Sequence, residues 1–408
     1  MTPSSVRAFI GTGLFAVLVI LSASALSLGL LVPVLPLFFH DEGITAVQFG
    51  LLFAAYSGAV GMFEGFWGWL SDSIGLAPII IGRMFILPLI LFLFTRTEGL
   101  LLLSALLMLR AVFEAAVWPL GRAYVGQALP TNQRGQGMAV VQFVILASMS
   151  IGSLIGGVVK DLWDYDMVFY CALGLLLVGG LVALLRQRTL IVIKSTAKTE
   201  PEMLVIESPA KVTSRRRPIA TIAAVMGFLH AGFGILTGFV PLYGALILNL
   251  NTTQIGLIFM VSGLVGLVAL LPAGRISDRT GRKVFIVGGI ALYGVALLGV
   301  AFAIDYWTLL ISVAISAIGR SMMLPTILAL SSEVMPIGLQ GRAMGLLGVG
   351  EAIGISSGPA VAGWIWSAHG GQATFLFAGL LVGVGTVFAL SSIKERLWTG
   401  NYTQQVSV

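Results

Sequence analysis

Charge is what this sequence has least of. Of its 408 residues only 10% are Asp, Glu, Lys or Arg, against about 25% in soluble globular domains. A surface that poor in charge excludes water as the main solvent of the folded chain. Cysteine is nearly absent as well. The one present, Cys171, lies in an apolar run, so no disulfide framework can form within the chain and a packing role is expected for it. Histidine occurs three times, and the chain contains neither HExxH nor GxxxxGK(S/T). Metal-dependent hydrolysis and ATP-driven pumping have no residues to carry them, so an enzyme is not expected. No cofactor and no metal are expected either.

What fills the chain instead is apolar sequence, 58% hydrophobic residues with 51 glycines. The apolar residues are continuous over stretches long enough to cross a bilayer core, which takes about 20 helical residues. No water reaches the backbone at that depth, so each stretch must close its own hydrogen bonds as a helix, an alternating barrel strand being excluded by the pattern. The runs predict spans at 12–39, 46–70, 78–95, 100–127, 137–159 and 167–185, then at 219–247, 253–275, 284–303, 307–333, 343–367 and 373–392. The apolar stretch Phe9 to Phe39 is too long for a signal-peptide core and is read as the first span. The fold class is an all-α membrane protein of twelve spans, with a first bundle at 1–188, a linker at 189–218 and a second bundle at 219–408.

The basic residues have a topological reading rather than a nucleic-acid one. Arg7, Arg83, Arg122, Arg134, Arg275, Arg279, Arg282, Lys283 and Arg342 fall on one set of connections, and the linker adds Arg215–Arg217. The opposite set holds Arg96 and Lys160 among acids such as Asp41, Glu42 and Asp161. Lys and Arg accumulate on the cytoplasmic side, so both termini are expected there, in a multi-pass protein of the plasma membrane. The bilayer is the expected environment and a monomer the expected state; no nucleic-acid partner is expected.

The chain also repeats itself at an offset of about 206 to 210 residues. Gly68-Trp69-Leu70-Ser71-Asp72 with Gly75 returns as Gly274-Arg275-Ile276-Ser277-Asp278 with Gly281. Arg110 returns as Arg320, Arg134-x-x-Gly137 as Arg342-x-x-Gly345, and Pro36 as Pro241. Gly152-Ser153-x-x-Gly156-Gly157 returns as Gly358-Pro359-x-x-Ala362-Gly363. Several matches in one order at one spacing mark two homologous six-span halves.

These residues resemble the major facilitator superfamily over essentially the whole chain. Asp278-Arg279-Thr280-Gly281-Arg282-Lys283 is similar to the family's loop signature, whereas Ser73, Leu76 and Ala77 depart from it in the first half. Arg110 resembles the fourth-span arginine, with Glu114 where a glycine is usual. Gly152-Ser153 is similar to the Gly-Pro of the antiporter motif without its proline, and Gly29 with Pro33-x-x-Pro36 is similar to the first-span motif of drug–proton antiporters. The resemblance implies two bundles around a cavity that opens to each side in turn. In it, Gly68, Asp72, Gly75, Gly274, Asp278, Arg279, Gly281, Arg282 and Lys283 would form conformational latch loops. Asp72 and Asp278 would accept bonds from amides at a helix N-terminus. Gly152, Gly156, Gly157, Gly358, Pro359 and Gly363 would allow close helix packing.

Ionisable groups inside spans are the functional candidates. They are Glu64, Arg110, Glu114, His230, Arg320 and Glu351, with Trp118 as a possible cavity-lining aromatic. Arg110 and Glu114 are four apart and share a helix face, so they are expected to pair. Glu64 and Glu114 have no counterpart in the second half, where Leu270 and Leu324 stand. That asymmetry makes Glu114 the expected proton carrier, with Glu114→Gln abolishing proton-linked transport and leaving folding intact. Glu351 is expected opposite Arg320, and His230 is either a core hydrogen-bonding residue or part of the coupling. The expected function is secondary active transport by alternating access, as proton-coupled efflux of drug-like or amphipathic compounds. Uptake of a polar metabolite such as a sugar or organic acid, and a transporter-derived sensor, are the alternatives. The partners implied are a small-molecule substrate and H+.

Overall fold

The computed structural model describes residues 14–117, 124, 131–187, 216–334 and 340–393. Most of the expected linker and Trp118 lie outside the described residues, as do the side chains of Asp278, Glu333 and Arg342. No strand occurs among the described residues. The helices are α1 (Leu14–Leu31), α2 (Leu35–Asp41), α3 (Ala46–Ile74), α4 (Leu76–Phe94), α5 (Leu100–Glu114) and α6 (Thr131–Leu162). They continue as α7 (Tyr165–Leu185), α8 (Arg216–Leu246), α9 (Thr252–Thr280), α10 (Arg282–Ala301), α11 (Tyr306–Val334) and α12 (Gln340–Ser392).

Ten of these runs, from Phe15–Asp41 to Met344–Ser392, are long and apolar enough to cross a membrane by length and composition. The expected first span is α1 and α2 together, parted by a turn at Val32–Val34 where Pro33 and Pro36 withhold backbone donors. The expected eleventh and twelfth spans run on as α12, broken by Gly370 at φ 83°. The fourth is described only as far as α5 and the turn after it. Large apolar side chains such as Met62, Leu101, Val268 and Val387 are exposed. An outer surface of that kind suits hydrocarbon solvent.

Helix ends follow local chemistry. Gly75 (φ 88°) separates α3 from α4 and Gly281 (φ 97°) separates α9 from α10, the same left-handed break at both copies of the repeat. An L-residue there costs about 1–2 kcal/mol. Reciprocal capping boxes open α3 and α9. Thr45 N donates to Gln48 Oε1 at 2.9 Å, and Asn251 N donates to Gln254 Oε1 at 3.0 Å. Asp164 caps α7 by accepting from Met167 N, and Asp305 caps α11 by accepting from Thr308. The Thr308 side-chain and backbone bonds hold the Asp305 carboxyl below the usual range.

The chain divides into two compact units. The first is Met1–Ile44, Ala55–Glu200 and Asn249–Gly263; the second is Thr45–Ala54, Pro201–Leu248 and Leu264–Val408. Inside the first unit α1 lies parallel to α6. A Cβ on Gly152 would strike the Leu26 backbone and one on Gly156 the Leu30 backbone, while Ser22 and Ser148 hydroxyls meet at 2.7 Å one turn earlier. Inside the second unit α8 lies against α12 in the same way. Gly350, Gly354 and Gly358 face the backbones of Ala223, Gly227 and Ala231. Lipid supplies no hydrophobic drive between helices, so backbone approach through small residues carries the association.

Two further contacts tie short segments into each unit. In the first, Gly157 meets the Thr252 backbone and Asp161, at the end of α6, accepts from Thr252 N at 3.1 Å and Thr253 N at 2.6 Å. The first-turn amides of α9 thus receive a carboxylate from 91 residues away. In the second, Gly50 faces Pro359, Gly363 faces Ala46, and Phe49 meets Phe239 edge to face.

Two glycine substitutions should therefore diverge. Gly281→Ala forces a left-handed Ala and should lower the apparent melting temperature of the purified protein. Gly274→Ala adds a methyl into open space two turns before the end of α9 and should leave it unchanged or raise it, by the helix-propensity gain of about 0.5–1 kcal/mol. Scanning fluorimetry of both variants checks the difference.

Candidate functional site

In the first unit the polar residues of α1, α3, α4 and α5 converge on Glu114. Arg110 Nε lies 3.2 Å from Glu114 Oε2, and Arg110 Nη2 is also within 3.2 Å. This is the pairing expected from their spacing of four. Above the Tyr56 ring the Arg110 guanidinium sits 5.6 Å from the centroid. A second arginine completes the cluster. Arg83, on α4, is 3% exposed; its Nη1 donates to Ser24 Oγ at 3.0 Å and its Nε to the Phe113 carbonyl at 3.3 Å. Its Nη2 comes to 4.0 Å from Glu114 Oε1 and has no hydrogen-bond partner. Trp67 Nε1 ties α3 to the Val112 carbonyl beside it.

Arg83 corrects a sequence reading. It does not belong with the loop charges, because it is buried inside α4 and faces a carboxylate. The signal was present as an arginine inside the apolar run Ile79–Leu87. Tyr56 and Ser24 left no sequence signal, being ordinary residues of apolar helices.

In the second unit the arrangement differs. Glu351 does not face Arg320 as expected; it meets His230, Oε1 to Nε2, at 3.2 Å. The reason is helix facing: α8 and α12 are the parallel neighbours, and Glu351 follows Gly350 on the seam they share. Arg320 stacks instead on Phe233, its Cζ 4.0 Å from the ring centroid. Such a contact is worth about 0.5–2 kcal/mol, well below the cost of burying an unpaired guanidinium. Phe233 presents its edge to His230, at 6.5 Å between ring centres. Tyr293 of α10 is buried, with a hydroxyl that has no hydrogen-bond partner.

The ring of His230 lies between acceptors. Nδ1 is 3.0 Å from the Met226 carbonyl oxygen, so Nδ1 carries a hydrogen. A neutral ring would then turn its Nε2 lone pair toward the Glu351 carboxylate. A contact of 3.2 Å between those atoms requires one more proton, on Nε2 or on the carboxyl. His230 is buried while half of the Glu351 side chain is exposed, so the proton has a way out on one side.

The remaining expected residues are spread out. Glu64 lies partly exposed on α3, one turn before Trp67. Gly68, Asp72, Gly75, Gly274, Arg279, Gly281, Arg282 and Lys283 cluster at the two helix breaks. Asp72 is exposed and accepts no amide hydrogen bond among the described residues, whereas Arg282 Nη1 donates to Ser277 Oγ at 3.0 Å. A carboxylate that receives first-turn amides from a helix distant in sequence is Asp161, which the repeat could not reveal because it has no loop signature around it.

Comparison with known proteins identifies relatives of this fold. The profile described as Major Facilitator Superfamily matches residues 17–269 and 222–399. The quinolone resistance protein NorA of Staphylococcus aureus is 25% identical over 375 residues, covering 91% of this chain and 94% of that protein. The fold is shared with a bacterial homologue of the human lysosomal transporter Spinster, at TM-score 0.80 and 12% identity over 98% of this chain and 99% of that one. It is shared as well with the nucleoside transporter NupG, at TM-score 0.77 and 13% identity over 93% and 100% of the two chains.

The second arginine changes what Glu114→Gln should do. Removing the carboxylate leaves two buried guanidinium groups facing each other, and breaking a buried pair costs about 3–5 kcal/mol. Glu114→Gln should therefore lower the melting temperature clearly, and the double variant Arg83→Met/Glu114→Gln should recover part of that loss. A wild-type melting temperature for the single variant overturns this account of the cluster.

Proposed function

The chain belongs to the major facilitator superfamily, and on that premise we propose that it couples proton movement to export of small amphipathic compounds. It is a multi-pass integral membrane transporter, not an enzyme. The proposed working cycle is alternating access in the plasma membrane, with both termini cytoplasmic and the helix breaks at Gly75 and Gly281 acting as latch loops.

The observation that carries the coupling is the His230–Glu351 contact, which at 3.2 Å calls for a shared proton. Imidazole is the side chain whose charge ordinarily changes in the physiological range. The charged and titratable groups packed round it are Glu351 from α12, Arg320 from α11 across the Phe233 ring, and Tyr293 from α10. In this reading the pair holds its contact while it holds the proton and gives up both together when the contact opens. Glu114 with its two arginines becomes the fixed charge network of the first half. Export, rather than uptake of a polar solute, is supported by the apolar spans and by the similarity to the quinolone resistance protein.

Proteoliposomes with an acidic lumen should accumulate a fluorescent quinolone when they carry the native protein, and lose that accumulation when the gradient is collapsed. Glu351→Gln and His230→Gln should abolish gradient-driven accumulation while leaving exchange at equal pH. Gradient-driven accumulation at native rates in both variants overturns the assignment of the pair.

A further inference from the structure

The two halves treat the arginine that recurs inside their spans differently. The helix breaks at Gly75 and Gly281 set α4 and α10 at an offset of 206, so Arg83 meets Gly289, one turn before Tyr293; at the offset of 210 that takes Arg110 to Arg320, Glu114 meets Leu324. The first half therefore surrounds its arginine with a second arginine and a shared carboxylate. The second half keeps the arginine, has a glycine at the place of the second one with a phenol one turn further along α10, and lacks the carboxylate.

The geometry supports that comparison. Arg320 lies in the middle of α11, and its contact is the face of Phe233; among the described residues no carboxylate and no hydrogen-bond acceptor meets its guanidinium. Tyr293 is 1% exposed and its hydroxyl lacks any partner. Three helices bring these groups together. A Cβ on Gly319, next to Arg320, would strike the Tyr293 backbone, and a Cβ on Gly232, next to Phe233, would meet the Tyr293 ring. Arg320 remains partly exposed, so its fork is accessible. A planar five-donor cation with no acceptor, a buried donor with no acceptor and an aromatic face beside both lack the same thing.

We propose that Arg320, Tyr293 and Phe233 form the anion-binding subsite of the transporter, taking the carboxylate of an aromatic or amphipathic organic acid. The carboxylate accepts from the Arg320 fork and the Tyr293 hydroxyl, and the adjoining ring of the ligand lies among apolar side chains. This deepens the export reading and rests on it for the word substrate. The site itself is a matter of binding, and is tested without any gradient. His230 and Glu351 lie beyond the Phe233 ring, so the anion and the proton occupy neighbouring places without sharing an atom.

The test is equilibrium binding of 2-naphthoate and of its neutral isostere 2-naphthamide to the full chain in detergent at one pH, by calorimetry. Native protein should prefer naphthoate by about tenfold or more, as a charge-assisted bidentate bond replaces a neutral one. Arg320→Gln should abolish the preference, and Arg320→Lys should keep only part of it. Tyr293→Phe should weaken naphthoate about five- to tenfold and leave naphthamide unchanged. Its melting temperature without ligand should equal or exceed the native one, because the lost hydroxyl had no partner; this keeps the test open if Arg320→Gln fails to fold. Equal affinity for the two compounds, no binding of either, or a preference that survives both Arg320→Lys and Tyr293→Phe overturns the proposal. Loss of gradient-driven quinolone transport with naphthoate preference intact would sink the export reading and leave the subsite standing.

Discussion

Parallel helices whose backbones touch are the constraint from which the rest of this protein follows. In hydrocarbon, apolar side chains gain nothing by leaving lipid for one another, so cohesion has to come from close van der Waals approach. The contacts of Gly152 and Gly156 with α1, and of Gly350, Gly354 and Gly358 with α8, provide it by omitting side chains altogether. Once those seams are set, the angular position of every other residue on the four helices is set too. Ser22 meets Ser148, and His230 meets Glu351, because the glycines beside them bring the helices within reach.

The same framework shows how a duplicated fold acquires direction. Both halves keep an arginine at the equivalent depth and lay it against an aromatic ring, Tyr56 in one and Phe233 in the other. What differs is the counter-charge. In the first half it is internal, Glu114, and the polar groups largely satisfy one another. In the second half, among the described residues, Glu351 is engaged with His230 and no carboxylate meets Arg320. A symmetric scaffold with asymmetric charge suits the proposed carrier of two different species, one held by a proton-bearing contact and the other by a cation.

Much of the fold was legible in the sequence because it is written in repeats and in hydropathy. The loop glycines Gly75 and Gly281, the helix-packing glycines and the Arg110–Glu114 spacing depend only on periodicity along one helix. The pairing of Thr45 with Gln48 and of Asn251 with Gln254 was equally legible, a further repeat at 206 residues that capping chemistry would have exposed. What the sequence did not carry was facing. Whether Glu351 points at Arg320 or at His230 depends on which helices are neighbours, and no spacing within one helix encodes that. Arg83 was misplaced for a related reason, since a lone charge near the end of a span reads as a boundary until its surroundings are known. Tyr293 became visible as a candidate only when its hydroxyl proved to have no partner.

The seam between α8 and α12 carries one more implication, for how the chain finds its alignment during insertion. Small residues recur on it at every fourth position of both helices. A slip of one turn, about 5.4 Å, would set Gly350 against Gly227 and Gly354 against Ala231, again small against small. Such a surface has nearly equivalent resting places and cannot select among them by shape. Pro359 wedged against Gly234, and the ring of His230 meeting Glu351, are satisfied at a single one of these settings. The proline and the polar pair together therefore act as a vernier, choosing the one alignment that the small residues leave undetermined.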